Sequence, residues 1–257
     1  MRIDYNELLD NLSYLKRQEI IKEIYNFIIY DVPDWDIVGN NSYLLHKRIK
    51  FPLSIVRELL YQESIEYTSA FGLKQNYGVS FLRKLDLSEL DLSDIDVTSW
   101  DLSYTNVNLN PQKVENKSLY KTDCRGLNLS GKDFTDVDVC GANLEGTMAD
   151  IDPQNVKNKS LSNTNCKGLN LENKDFTEVE VWGANLEGTM ANIDPQKILN
   201  KSLFTTNCKG LNFEGKDFTG VEVTRANLEE THADLGFRSD DIESHIKKII
   251  LQKVNRR

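Results

Sequence analysis

The sequence has little of the proline and glycine that build long linkers, and it has no long apolar run. Its 257 residues include 5 prolines and 14 glycines, so no flexible linker is expected to divide the chain. The apolar stretch from Ile24 to Tyr30 is interrupted by Asn26 and is far shorter than the roughly 20 residues that span a membrane. The N-terminus also lacks the basic and then apolar layout of a secretion signal. We therefore expect a cytoplasmic protein that has no membrane partner.

Histidine and cysteine are scarce as well, which limits cofactor chemistry. The chain has 3 histidines and 4 cysteines, and none of them shows the C-x-x-C pairing that is typical of a zinc site. The sequence also lacks a Gly-x-Ser-x-Gly motif, a phosphate-binding loop and an acid placed beside a histidine. We therefore expect no enzymatic activity, no cofactor and no metal.

Positive charge is in the minority. Lys and Arg total 31 against 40 Asp and Glu, which gives a net charge of −9. A protein that binds nucleic acid directly through its phosphates needs the opposite balance. Hydrophobic residues make up 39% of the chain and charged residues 28%, which is typical of a folded rather than a disordered protein. We expect a folded protein that does not bind nucleic acid directly.

What the sequence does contain is an internal repeat of 42 residues. The phrase Pro-Gln-x-x-x-Asn-Lys-Ser-Leu begins at Pro111, at Pro153 and at Pro195. Two further phrases, Lys-Asp-Phe and Ala-Asn-Leu-Glu, recur later in each unit at the same spacing. Such self-similarity is the signature of a repeat architecture.

Inside each unit, apolar residues recur every five positions, with one step of seven per unit. Neither an α-helix, with a period of about 3.6, nor a strand, with a period of about 2, has this spacing. The chain must instead turn a corner every five residues, so that four corners close one coil and one unit makes two coils. Stacked coils would pair their backbones at the spacing of about 4.8 Å that β-strands have. The middle unit shows the series Ile151, Val156, Leu161, Cys166, Leu171, Phe176, Val181 and Leu186.

This pattern resembles the pentapeptide-repeat family, whose motif is a small residue, then Asn or Asp, then Leu or Phe, then two polar residues. Segments that begin at Ala142, Ala149 and Ala184 match the motif closely, and the resemblance covers about Leu82–Leu235. It implies a mainly β solenoid, a right-handed quadrilateral β-helix. We predict such a rod of about eight coils at residues 67–238.

The sequence departs from the family motif where a long polar side chain takes the small-residue position. Lys132, Gln154 and Lys159 are examples. Because a charged or amide side chain is costly to bury without partners, we expect these side chains to point outward.

Residues 1–66 lack the five-residue period and show helical spacing instead. Ile20, Ile24, Phe27 and Ile28 mark one apolar helical face, and Pro52 suits the first position of a later helix. We predict a small helical cap at 1–66, because the open end of a solenoid exposes its core and unpaired strand edges.

Residues 239–257 have the pattern of a C-terminal capping helix. An apolar stripe follows one helical face, and basic residues are enriched toward the end, as the helix dipole favours. The stripe could be a lid over the last coil or a dimerisation helix that makes a homodimer, which the resemblance allows, and both could hold at once. The candidate dimerisation residues are Ile242, Ile246, Ile249 and Ile250.

Three of the cysteines fall on the apolar period of one corner. Cys124, Cys166 and Cys208 lie two coils apart, a separation of about 10 Å by strand spacing. That distance is too long for a disulfide, so we predict reduced core thiols. Cys140 follows an interior residue and should face outward.

One outward column of the predicted rod carries aromatic side chains. On successive coils it reads Thr98, Tyr120, Cys140, Ser162, Trp182, Phe204 and Thr224. Exposed aromatic residues rimmed by charge often mark an interaction surface, although single exposed aromatics are also ordinary on β surfaces. The candidate partner-binding residues are Tyr120, Trp182 and Phe204, with the carboxylates Asp138, Glu180 and Glu222 beside them.

Two functions are compatible with these features. One is a scaffold that holds a protein partner along an extended face. The other is implied by the resemblance, since some family members mimic duplex DNA and protect type II topoisomerases such as DNA gyrase from quinolones. Residues 67–238 carry 26 acids and 18 bases, and a DNA mimic needs such a negative net charge. However, residues of opposite charge are predicted to alternate on neighbouring coils, which weakens a continuous phosphate-like stripe, and we therefore favour the scaffold.

Overall fold

The structure is a computed structural model that describes residues 14–27, 49–50, 55–56, 59, 82, 85–88 and 90–231. Its elements are helix α1 (Tyr14–Asn26), strands β1 (Ile49–Lys50) and β2 (Leu85–Asp86), and three short 3-10 helices. The 3-10 helices are Glu115–Lys117, Lys157–Lys159 and Leu199–Lys201. The predicted C-terminal helix at 239–257, with Ile242, Ile246, Ile249 and Ile250, lies outside the described residues.

The predicted N-terminal cap is described only in part. In α1, Ile21 is fully buried and Ile20 and Ile24 are partly buried against the core, whereas Phe27, just after the helix, is 53% exposed. The apolar face therefore centres on Ile21, which the sequence pattern did not single out. The helical residues Ile55, Val56 and Leu59 are also buried in the core.

A short parallel strand pair joins the N-terminal region to the start of the repeats. In the pairing of β1 with β2, Ile49 is opposite Leu85 and Lys50 is opposite Asp86. Leu82 and Leu85 belong to the same hydrophobic cluster as Ile55 and Ile21. This pairing was not predicted, because residues 1–66 were expected to be helical. It extends the β backbone ladder beyond the first repeat.

The repeats form a stacked solenoid, and a ladder of parallel β-bridges records the stacking. Each rung joins a residue to the equivalent residue 22 or 20 positions later in alternation. Within the described part of the chain, the ladder defines seven successive coils. Its residues are Asp101, Asp123, Asn143, Asn165, Asn185, Asn207 and Asn227.

The interior of the solenoid is filled by the five-residue series. We number the sides of a coil 1 to 4 in chain order, so that Ile151, Val156, Leu161 and Cys166 are the interior residues of sides 1 to 4 of one coil. All four are buried, and so are most of their counterparts on the other coils. On side 2 a small residue alternates with a large one, as Val156 does with Phe176. The core is thus tightly filled by complementary sizes, which leaves the outer surface as the place for function.

Most corners are hydrogen-bonded β-turns with a left-handed third residue. After Leu161, the Thr164 N–H donates to the Leu161 carbonyl at 3.0 Å, and Asn163 has φ of 57°. A positive φ at this position is the mark of a type II turn. On side 3, however, Asn158 and Lys159 both have positive φ, 56° and 49°, and the Ser160 N–H closes a second turn on Lys157. Two successive left-handed residues are typical of a type I′ turn.

The Asn or Asp that precedes many of the interior residues has a local role. Its side-chain oxygen accepts a hydrogen bond from the backbone N–H two residues on, as Asp175 does from Thr177 at 2.9 Å and Asn165 from Lys167 at 3.1 Å. Such bonds favour the turn that follows. Asn165 also donates its side-chain N–H to the Asn143 Oδ1 at 2.9 Å, so the amides bind one another from coil to coil.

The long polar residues in the small-residue position lie on the outside. Lys159 is exposed, since its left-handed backbone belongs to the second turn. Gln154 is half-buried and donates from Nε2 to the Asp175 and Thr177 carbonyls of the next coil at 3.1 and 2.8 Å. Lys132 donates from Nζ to Asn108 Oδ1 at 2.8 Å. These contacts give the departures from the motif a structural role between coils.

Candidate interaction surface

The aromatic column lies on the outer surface of side 3, and the backbone ladder fixes its order. The Gly141 N–H donates to the Ser162 carbonyl at 2.9 Å, Asn163 N–H to Trp182 at 2.7 Å and Gly183 N–H to Phe204 at 3.0 Å. Trp182 therefore lies between Ser162 on one neighbouring coil and Phe204 on the other.

Trp182 and Phe204 form an aromatic pair. Their ring centroids are 6.2 Å apart and the ring planes are inclined by 36°, within the range of favourable ring pairs. Trp182 is 44% exposed and Phe204 is half-buried. The pair is therefore ordered by its own contact and still offers an apolar surface to a partner.

Tyr120 does not join this pair, although it belongs to the same column. It is 39% exposed, and Cys140 and Ser162 separate it from Trp182 along the ladder. The Lys121 Nζ lies 5.0 Å from the centroid of its ring, so a cation of the same chain covers it. The structure thus divides the predicted aromatic site into a pair and a separate tyrosine.

Two of the three candidate carboxylates lie near the aromatic pair. Glu180 precedes Trp182 by two residues on the same coil, and its Oε2 accepts a hydrogen bond from the Ser160 hydroxyl at 2.8 Å. Glu222 is on the coil after that of Phe204 and accepts from the Thr224 N–H at 2.7 Å. The hydrogen bonds from Thr224 hold the pKa of Glu222 below its usual value, so this carboxylate is charged at neutral pH.

Asp138, the third candidate carboxylate, lies apart from the pair. It is on the coil of Cys140 and accepts a hydrogen bond from the Cys140 N–H at 3.0 Å. Cys140 is half-buried, with its Sγ 3.3 Å from the Ser160 hydroxyl oxygen. The candidate site therefore consists of Trp182, Phe204, Glu180 and Glu222.

Ser162 is a member of this surface that the sequence pattern did not mark as functional. It faces outward between Cys140 and Trp182, yet it is only 8% exposed. Its Oγ is buried and has no hydrogen-bond partner among the described residues. The only sequence signal is a small polar residue directly before a tryptophan in the column, which does not by itself predict burial.

Gly183, directly after Trp182, allows close packing of the neighbouring coils at this surface. Its φ is 67°, and a Cβ there would collide with the side-chain oxygen of Asn163 and approach the Thr205 hydroxyl to 3.5 Å. A larger residue would therefore push the Asn163 side chain aside and strain the left-handed backbone next to Trp182.

Opposite charges alternate along the corner after side 4. Lys167 Nζ lies 3.4 Å from Glu187 on the next coil, and Lys209 Nζ lies 3.9 Å from Glu229 and 3.3 Å from Glu230. Such exposed pairs each contribute about 0.2–1 kcal/mol. Their main effect on the outer surface is that positive and negative charge neutralise each other coil by coil.

The acidic rows on side 2 also lie beside lysines. The pKa of Asp175 is held below its usual value, first by hydrogen bonds from Thr177 and then by the charges of Lys159 and Lys197. The pKa of Asp217 is lowered in the same way by Thr219, with a contribution from Lys201. No continuous acidic stripe runs along the part of side 2 that the structure describes.

The three core cysteines lie on side 4 as free, buried thiols. Burial raises the pKa of Cys166 and of Cys208 to about 12, and it also raises the pKa of Cys124. A thiol that stays protonated is neither a good nucleophile nor a metal ligand. Over the described residues, no group of three or more His, Cys, Asp or Glu is placed to hold a metal ion.

An open groove of about 510 Å³ lies on the outside of side 1. The residues that line it include Met190, Asn212, Lys216, Glu172 and Glu214. Met190 is 60% exposed. The groove is shallow and polar, and no paired acid and base in it suggests a catalytic function.

The stacked coils, the filled interior and the left-handed corners define a β-solenoid. The family model described as pentapeptide repeats matches the chain in 8 copies, at residues 160–189. The chain therefore contains pentapeptide repeats, which confirms the resemblance found in the sequence. The matched residues include Ser160, Ser162, Glu180 and Trp182 of the candidate surface.

No curated protein matches the chain. Among the helices that the structure describes, none is long and apolar enough to cross a membrane.

Proposed function

We propose that this protein is a non-enzymatic scaffold that holds a protein partner along the outside of its solenoid. The observation that carries the proposal is the exposed Trp182–Phe204 pair on the surface of side 3. In this proposal the rod at 67–238 is a right-handed quadrilateral β-helix, closed by a helical cap at 1–66 and a C-terminal helix at 239–257. It acts in the cytoplasm, and it forms a homodimer if the C-terminal helix pairs.

The distribution of chemistry over the solenoid supports a binding role. Apolar side chains fill the interior, so no cavity is available inside the described coils, and the core thiols are protonated. Repeat solenoids offer long, regular surfaces to their partners. In protein interfaces, buried tryptophan and other aromatic side chains contribute much of the affinity, and Trp182 is the exposed tryptophan of the described surface.

A DNA-mimicking protector or inhibitor of DNA gyrase is the second candidate. The observation in its favour is the acidic balance of the rod, with 26 acids and 18 bases at residues 67–238. The alternation of Lys167 with Glu187 and of Lys209 with Glu229 speaks against it, because a mimic of the phosphate backbone needs a continuous negative field.

A gyrase supercoiling assay separates the two candidates. The protein is titrated into the reaction with and without a quinolone, up to a molar excess over gyrase. We expect no change in supercoiling at any ratio. Rescue from the quinolone, or inhibition of supercoiling, at near-stoichiometric amounts would establish the mimic and overturn the scaffold.

The scaffold itself is tested by comparing variants for partner capture from lysate of the source cells. We expect a protein that the wild type retains to be lost with the double variant Trp182→Ala, Phe204→Ala. It should be retained by the control Met148→Ala, because Met148 is 64% exposed on another part of the surface. Circular dichroism checks that each variant keeps its fold. Equal capture by all three proteins would refute a role for the aromatic pair.

A further inference from the structure

We propose that Trp182, Phe204, Glu180 and Glu222 form a subsite for one cationic side chain, a lysine or arginine in a basic segment of the partner protein. This inference rests on the proposed function and specifies the chemistry of the partner. It follows from the exposed ring, the two carboxylates and an unpartnered hydroxyl group on the neighbouring coil.

The ring of Trp182 is an open acceptor for a cation. Tryptophan has the strongest cation–π attraction of the aromatic side chains. The exposed tyrosines among the described residues already have a cation of their own, since Lys121 Nζ lies 5.0 Å from the Tyr120 centroid and Arg125 Cζ lies 5.9 Å from that of Tyr104. The described residues place no cation over Trp182, which leaves its ring to a partner.

The carboxylates give the subsite its charge. Glu180 and Trp182 flank the buried interior residue Val181, so both lie on the outside of side 3. Glu180 accepts a hydrogen bond from the Ser160 hydroxyl, and Glu222 accepts hydrogen bonds from Thr224. A carboxylate has about four lone-pair sites, so both can accept further bonds from a guanidinium or an ammonium group.

The lysines on the neighbouring backbone also act electrostatically on other acids. The Glu180 N–H donates to the Lys159 carbonyl, and the Glu222 N–H donates to that of Lys201. The charges of these two lysines lower the pKa of Asp175 and of Asp217, respectively, on side 2. Among the described residues, neither Glu180 nor Glu222 forms a salt bridge with a lysine or an arginine.

The Ser162 hydroxyl adds an independent sign of a polar ligand. It lies next to Trp182 in the column, is buried and has no hydrogen-bond partner among the described residues. A buried hydroxyl without a partner is unfavourable. A guanidinium has five N–H donors and an ammonium has three, so either can supply the hydrogen bond that this oxygen lacks.

A basic segment fits this surface better than the alternatives. A purely apolar partner would strip water from Glu180 and Glu222 without replacing its hydrogen bonds. An acidic partner would be repelled by both carboxylates. A lysine or arginine pairs with the carboxylates and places its charge over the indole, so all parts of the site are used.

The test measures binding of a Gly/Ser peptide with two arginines to the full-length chain, by calorimetry at low salt. The matched probe is the same peptide with citrulline in place of arginine, which keeps the shape and removes the charge. We expect the arginine peptide to bind at least fivefold more tightly than the citrulline peptide. Equal binding of the two peptides would overturn the inference.

Three variants locate the site. Trp182→Met keeps an apolar side chain but removes the ring, and we expect it to weaken arginine-peptide binding roughly three- to fivefold, the size of an exposed cation–π contact. The double variant Glu180→Gln, Glu222→Gln should weaken it by a similar or larger factor. The control Glu172→Gln, Glu214→Gln removes the same charge from side 1 and should change binding less than twofold. An equal loss in the control would mean attraction by net charge alone and would overturn the inference.

The outcomes for the two proposals are separable. If the aromatic double variant loses the captured partner while the peptides bind equally, the scaffold stands and the cationic subsite fails. If the partner is also captured equally by wild type and variant, both fail.

Discussion

Replacing Lys159 by glycine should stabilise the solenoid, although glycine usually weakens regular structure. Lys159 has φ of 49° and its side chain is exposed. A side chain in left-handed backbone costs about 1–2 kcal/mol, which glycine avoids.

The magnitude follows from comparing glycine with alanine at the same position. Both variants lose the lysine charge near Asp175, so their difference reports the backbone. Glycine relieves about 1–2 kcal/mol of left-handed strain, and its greater freedom in the unfolded chain costs about 0.5–1 kcal/mol. We expect the Lys159→Gly variant to be more stable than Lys159→Ala by about 0.5–1 kcal/mol.

Lys157 in the same turn is the matched control, because its φ is not left-handed. There we expect the reverse order, with glycine less stable than alanine by about 0.5–1 kcal/mol. The measurement is urea unfolding followed by circular dichroism, with a check that the m-values agree. A Lys159→Gly variant that is less stable than Lys159→Ala would show that this corner does not have the left-handed conformation.

Three further predictions concern the core, the thiols and acid stability. Thr164→Val should lower the free energy of unfolding by about 1 kcal/mol, since the buried Thr164 hydroxyl donates to the Val139 carbonyl at 2.8 Å; equal urea midpoints would contradict this. A thiol reagent at pH 8 should label Cys140 in the native protein and leave Cys166 unlabelled until denaturant is added, because only the former is half-exposed; native labelling of Cys166 would refute its burial. The pKa of Asp175 is depressed in the folded state. Its carboxylate therefore stabilises the folded protein above the unfolded pKa of about 3.9, and this stabilisation is lost as the pH falls below that value. In a plot of urea midpoint against pH, Asp175→Asn should reduce the fall at acid pH, and an unchanged fall would contradict this.

The sequence by itself determined the solenoid and the order of residues along its outer columns. A five-residue apolar period sets where the chain turns, and coils of 20 and 22 residues set which residues stack. From these periods we predicted that Trp182 lies beside Phe204. The hydrogen bond from the Gly183 N–H to the Phe204 carbonyl confirms that the two coils are neighbours in this order. The prediction was possible because the period is local and the stacking repeats it.

Only the tertiary structure decided the chemistry of the candidate site. The Ser160–Glu180 hydrogen bond and the buried Ser162 hydroxyl depend on side chains 20 residues apart, and no spacing in the sequence shows which rotamers meet. For the same reason, the sequence does not show that Lys121 covers Tyr120 and that no described cation covers Trp182.

Backbone features outside the five-residue period could not be predicted from the sequence either. Lys159 takes the position where the family motif has a small residue, because a second left-handed turn there directs its side chain outward. The pairing of Ile49–Lys50 with Leu85–Asp86 joins segments with no common pattern. The burial of Ile21 rather than Phe27 depends on how α1 packs against the core. A periodic sequence fixes the contacts that the period repeats, whereas contacts made once are set by the packing of the folded chain.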